Sequence, residues 1–198
     1  TMRCDHTKNI RIEKAHSYTA SKIGRAYRAN AKHLGTRLVI VDYLQLMTGT
    51  ARAGNRVNEI GEISRGLKKL AKDLNKPFVV LSQLSRGIES RPDKKPVLSD
   101  LRESGDIEQD ADGVMFIFRP HYYHEQGLEG FDEIFVNDMP RSSEGVAQLI
   151  IAKNRHGSVG SVTIGFTGRL TKFHALDEQF IDPTPYNPSS GITQSNEF

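Results

Sequence analysis

Arg37-Leu-Val-Ile-Val-Asp-Tyr-Leu-Gln-Leu-Met47 decides how the rest of the chain is read. Leu38 to Val41 is a short, continuous apolar run bounded by a single acid, Asp42. Such a run reads as a strand buried on both faces of a sheet. A carboxylate directly after it lies at the C-terminal end of the strand, the edge at which open parallel sheets bind ligands. Taken alone, Asp42 reads equally well as the first residue of an ordinary loop.

The flanking segments supply the sheet's context. Thr19 is placed to cap a helix whose apolar positions include Ile23, Tyr27 and Leu34, and Gly35 is placed to end it. Ile10 to Ala15 has the character of a short strand before it, so strand, helix and strand follow one another, the order of a parallel α/β sheet. After the small-residue loop Thr48 to Asn55, the residues Ile60, Ile63, Leu67, Leu70 and Leu74 recur by threes and fours, which predicts a helix over 57–74 with one apolar stripe. That stripe is core, and Asn75-Lys76-Pro77 stops the helix. Phe78 to Leu81 is the next apolar strand, with Ser82-Gln83 at its end.

A loop with Gly87, Pro92 and Pro96 leads to helical turns over 98–109, broken at Gly105. Strands are predicted at 114–118 and 146–152, the second running into Lys153, Asn154 and Arg155, and a hairpin around Gly168 joins 161–166 to 171–173. Residues 120–144 read as an irregular surface insertion; His121 and His124 flank two tyrosines and are not read as a metal site. Residues 1–9 are expected to fray, and 177–198 to form a flexible acidic tail, leaving 10–176 as the folded domain.

Composition narrows the class. The chain has 198 residues, 37% hydrophobic and 26% charged, as in soluble globular domains. No apolar run approaches the roughly 20 residues of a membrane span, and the first residues lack a secretory apolar core. Cys4 is the one cysteine, which suits a reducing compartment. A cytoplasmic location is the expectation. The net charge is +3, but segments 127–138 and 177–198 contain acids and no base, so all 27 lysines and arginines fall elsewhere. A surface that basic is compatible with a polyanion partner; solvated lysines give the same count.

Asp42, Gln83 and the Lys153/Arg155 pair thus each stand at the end of a predicted strand. Nucleotide hydrolysis needs such parts: an acid to serve magnesium, an amide to sense the terminal phosphate, and a base to neutralise charge on the transferred group. The order of LVIVDYLQLM, PFVVLSQLSR, PVLSDLRESGDIEQDADGVMFIFR and AQLIIAKNRHGSVG resembles the C-terminal motor domain of DnaB-type replicative DNA helicases. The resemblance runs from about Ile10 to Leu176, and LSDLRESG followed by IEQDAD is its most specific wording. Recombinases of the RecA type share the strand-end logic without that wording.

The resemblance implies a RecA-like α/β ATPase: a mostly parallel sheet flanked by helices, ending in an antiparallel hairpin, assembled as a ring of six around single-stranded DNA with ATP between subunits. By motif, Asp42 matches the acid that serves Mg2+, and Gln83 the glutamine that couples the γ-phosphate to the DNA loops. Lys153 and Arg155 match the basic finger reaching into a neighbour's nucleotide site, and Arg102, Glu103 and Gly105 the loop on the DNA backbone. Gly105 lets the main chain approach phosphate and Arg102 adds charge; Glu103 is better suited to bracing a basic residue of a neighbouring loop. A primase and a helicase loader are implied partners.

The phosphate-binding wording GxxxxGK[ST] occurs nowhere in the 198 residues. Two expectations follow: the N-terminal part of the motor core is missing, so the chain alone does not hydrolyse ATP, and an apolar sheet face is left uncovered. A non-hydrolysing module that binds single-stranded DNA or another subunit is the alternative.

Overall fold

The computed structural model describes residues 10–13, 18–49, 56–101, 105–136 and 139–176. Residues 1–9 and 177–198, expected to fray and to form a tail, lie outside them, as do Arg102 and Glu103. The chain divides into two compact units, one drawn from Thr1–Ser85 and Leu101–Ala111, the other from Arg86–Asp100 and Asp112–Phe198.

In the first unit, helix α1 spans Ala20–Leu34. Thr19 caps it, its Oγ1 accepting the Lys22 N–H at 3.2 Å, and Gly35 ends it at φ 54°, a conformation in which a side chain would be strained. Strand β1 is Val39–Val41, helix α2 is Arg56–Leu74 and strand β2 is Phe78–Val80. The two strands pair in parallel, Val39 beside Phe78 and Val41 beside Val80. Helix α3, Gly105–Asp110, packs on α2.

The predicted stripe of α2 forms the core. Ile60, Ile63 and Leu67 are buried with Leu44 and Met47, and Val41, Phe78, Val80 and Ile107 pack against them. Each such side chain taken fully out of water contributes about 1.5–3 kcal/mol. Helix α1 closes on α2 through small residues: a Cβ on Gly24 would lie 2.8 Å from Leu70 Cδ1, and one on Gly66 3.3 Å from the Ala20 Cβ. The other face of the parallel pair is open. Ile40 and its register partner Val79 are 62% and 42% exposed, and Leu38 and Leu81 are exposed beside them. Among the described residues, the apolar run of β1 is therefore covered on one face rather than the two that its sequence suggested.

In the second unit, strands β3 (Gly113–Phe118), β6 (Val146–Asn154), β7 (Gly160–Thr167) and β8 (Lys172–His174) form one antiparallel sheet in that order. The hairpin around Gly168 is present as expected. The α/β class holds, but the parallel share is smaller than the sequence reading implied: among the described residues β1 and β2 are the parallel pair, and the later strands pair antiparallel. An apolar run looks the same in a strand of either direction, so periodicity does not separate the two.

The described residues of the segment 120–144, which are 120–136 and 139–144, form regular elements rather than an irregular insertion. Helix α4 is Pro120–His124, and β4 (Glu133–Val136) pairs with β5 (Met139–Ser142). Tyr123, Phe131, Ile134 and Val136 are buried, and Tyr123 stacks obliquely on Phe131 and Phe118 at centroid distances of 5.2 and 6.0 Å. Ser143 is buried, its Oγ donating to the Phe131 carbonyl at 2.7 Å. The polar spelling hid alternation in β4, where Ile134 and Val136 face inward between Glu133 and Phe135.

Candidate nucleotide-site residues at the strand ends

Asp42 follows β1 directly and is exposed, and it lines a cleft of about 430 Å3 together with Tyr18, Tyr27 and Ile40. The Asp42–Tyr43 peptide bond is cis. Gln83 lies three residues beyond β2 and is also exposed. Because β1 and β2 are parallel and in register at Val41 and Val80, both residues leave the sheet at the same C-terminal rim. The rim is continued past the strands by the main chain: Leu81 N–H donates to the Val41 carbonyl and Leu44 N–H to the Leu81 carbonyl, both at 2.9 Å.

A side chain that the sequence reading did not single out completes this end. Gln45, in the 3-10 turn Leu44–Leu46, accepts the Gln83 N–H on Oε1 at 3.1 Å. Its Nε2 donates to the Gln83 carbonyl at 3.2 Å and to Ser82 Oγ at 3.1 Å. The Gln45 carbonyl in turn accepts Arg56 Nη2 at 2.6 Å. Arg56 also pairs with Glu59 at 2.5 Å, and Glu59 accepts the Gly49 N–H at 2.8 Å. The Gly49 hydrogen bond first, and the Arg56 bond second, hold the Glu59 carboxyl below its ordinary pKa. The only sequence signal for Gln45 was its place three residues after the strand-end acid.

Lys153 and Arg155 do not extend this rim as a third parallel strand; that part of the sequence reading is corrected. They belong to β6 and the turn after it, in the antiparallel sheet of the second unit. Lys153 pairs in register with Val114, and the register then slips so that Met115 faces Ile151, leaving Ala152 as a bulge. Arg155 is tied to the residue just before β3, at the same end: its N–H donates to the Asp112 carbonyl at 2.8 Å, and Nη1 meets Asp112 Oδ1 at 3.0 Å. Gly105 begins α3.

The LSDLRESG segment is anchored by an acid that was quoted but given no role. Asp100 is buried and binds the Arg91 guanidinium at two points, 2.9 and 2.6 Å, while its Oδ2 also accepts the Val97 N–H at 2.8 Å. Arg91 Nη2 donates to the Lys95 carbonyl at 2.6 Å, so one ion pair closes the loop 91–100. Lys95 inside that loop has its pKa lowered by burial. Among the described residues, no group of histidines, cysteines and acids is arranged to hold a metal ion on its own.

An α/β sheet with polar side chains at one rim is the frame of a helicase ATPase domain, and solved structures of that kind match the chain. A structure of a DnaB-like replicative helicase, described with its interactions with primase, superposes with a TM-score of 0.74 at 38% identity, over 85% of this chain and 38% of that one. A second solved structure, of an ATPase domain, gives a TM-score of 0.69 at 38% identity, over 81% of this chain and 52% of the other. The family described as DnaB-like helicase C-terminal domain matches residues 2–175, and the chain belongs to it. The replicative DNA helicase DnaB of Rickettsia prowazekii is 46% identical over 168 residues, covering 78% of this chain and 32% of its own length. That of Pasteurella multocida is 45% identical over 172 residues, covering 86% and 34%. The chain spans about a third of the length of the curated relatives it matches.

Proposed function

We propose that the chain is the C-terminal part of a replicative DNA helicase that couples ATP hydrolysis to movement along single-stranded DNA and unwinding of duplex. In this reading residues 10–176 are one motor segment. The observation that carries it is the shared rim of Asp42 and Gln83 on paired parallel strands, in a chain of the DnaB-like helicase family.

The donor chemistry at Asp42 fits magnesium, an ion that takes one or two carboxylates and keeps water and phosphate oxygens as its other ligands. Asp42 would hold it, and bound magnesium would supply charge neutralisation across the ATP phosphates. Gln83 presents a neutral amide that both donates and accepts, suited to follow a terminal phosphate without competing for the metal. Lys153 and Arg155 supply positive charge for a phosphoryl group held by an adjacent subunit in a ring of six. Arg102 neutralises DNA phosphate, Gly105 lets the main chain approach it, and Glu103 braces a neighbouring basic side chain. Primase and a helicase loader are the further partners of this reading. A cytoplasmic site of action belongs to this reading; separately, no helix among the described residues is long and apolar enough to cross a membrane.

A second reading is favoured by one fact: the sequence holds no GxxxxGK[ST] wording to cradle phosphate with backbone N–H groups and a lysine. By itself the chain then binds single-stranded DNA or another subunit without turnover. The two are separated by measuring ATP hydrolysis by the 198-residue chain with and without single-stranded DNA, beside salt-dependent binding to a labelled oligonucleotide. The expected result is DNA binding that weakens in Arg102→Ala, with no hydrolysis. Hydrolysis abolished by Asp42→Asn would overturn the inactivity of the isolated chain, and binding unaffected by Arg102→Ala would overturn the DNA role.

A further inference from the structure

Beyond the end of β2 the parallel ladder stops, because β1 turns away at Asp42 into the 3-10 turn Leu44–Leu46. The Gln45 side chain takes over where the main chain leaves off. Its amide accepts from the Gln83 N–H at 3.1 Å and donates to the Gln83 carbonyl at 3.2 Å, the pair of bonds that a strand residue would have made. The third bond, from Nε2 to Ser82 Oγ at 3.1 Å, uses the remaining amide hydrogen. This orientation is set by chemistry: with the amide turned over, an N–H would face the Gln83 N–H and an oxygen would face its carbonyl. Glutamate at this position would keep an acceptor for the N–H but set a negative oxygen against the carbonyl. The base of the turn is itself held, since Arg56 at the start of α2 donates to the Gln45 carbonyl at 2.6 Å.

We propose that Gln45 is a positioning residue, whose amide locks the main chain at Gln83 and so keeps the Gln83 side chain on the rim it shares with Asp42. The proposal rests on the reading of Gln83 as the residue that follows the terminal phosphate. Gln83 is exposed and lies outside any strand, so without this lock its N–H loses its bond to Gln45, while its carbonyl keeps the bond from Ser82 Oγ at 3.3 Å, and the main chain from which the side chain starts is less firmly held. Reacting groups displaced by an ångström lose most of their effect, and the loss appears in turnover rather than in binding.

Two measurements test it. In the 198-residue chain, hydrogen exchange at the Gln83 amide is expected to speed up about tenfold or more in Gln45→Ala, while the Leu81 amide, bonded to Val41, is unchanged. In a form of the chain joined to a phosphate-binding loop and able to hydrolyse ATP, Gln45→Ala is expected to lower kcat for ATP about tenfold, with KM within about twofold. Gln45→Met keeps the bulk and lacks the hydrogen-bonding amide, and it should behave like alanine. Unchanged exchange at Gln83, or a methionine variant with wild-type kcat, overturns the proposal. If Gln83→Ala itself turns over ATP at the wild-type rate, the reading of Gln83 fails and the positioning role falls with it; the exchange result shows separately whether the lock exists.

Discussion

Replacing Asp100 by alanine should be the most damaging single change in the loop that precedes Arg102. Asp100 is buried and receives two bonds from Arg91 and one from the Val97 N–H. Removing one partner of a buried pair costs about 3–5 kcal/mol, because the other charge is left without its counter-ion. The Arg91 side chain is 30% exposed and its Nε also lies 3.7 Å from Asp93 Oδ1, so water and that second acid recover part of that cost and the expected loss lies near the lower end, about 3 kcal/mol. With a urea dependence of about 2 kcal/mol per molar, the unfolding midpoint should fall by about 1.5 M. The chain has no tryptophan, so tyrosine fluorescence reports, and Tyr122 and Tyr123 lie in the same unit as the loop. Arg91→Ala should cost less, because it leaves a small carboxylate that water can reach once the long side chain is gone. The double variant should cost less than the sum of the two single changes, the signature of a direct pair. A midpoint shift below about 0.25 M for Asp100→Ala, or additive single effects, would refute the claim that this ion pair closes the loop.

Two further outcomes follow from the first unit. The Glu59 carboxyl has a lowered pKa, so it contributes stability above its unfolded value of 4.5 and loses it as pH falls through the folded value; the stability gap between wild type and Glu59→Gln should therefore narrow as pH drops from about 7 toward about 3, and a gap independent of pH would contradict the Gly49 and Arg56 contacts. Ile40→Thr, on the open sheet face, should change stability by less than about 0.5 kcal/mol, whereas Ile60→Ala, fully buried in α2, should cost about 2–5 kcal/mol; thermal unfolding that gave both the same cost would mean the face carrying Ile40 is covered.

The local elements were legible because each is decided by its own side chains. The stripe from Ile60 to Leu74 needs no partner to announce a helix, Thr19 and Gly35 mark the ends of α1 by hydrogen bonding and φ alone, and an apolar run closed by an acid puts Asp42 at a strand end wherever that strand goes. Family wording then implied roles for Gln83, Lys153 and Arg155 that spacing alone left open. Strand direction was decided by tertiary pairing: Val146–Asn154 is apolar enough for either kind of sheet, and only its pairing with Gly113–Phe118 and Gly160–Thr167 made it antiparallel, so Lys153 and Arg155 belong to an antiparallel sheet and not to the parallel pair. Gln45 and Asp100 show the same limit from the polar side. Their partners lie 38 and 9 residues away, and hydrogen bonds across such distances leave no period in the sequence, because they depend on where the chain returns and not on what it spells locally.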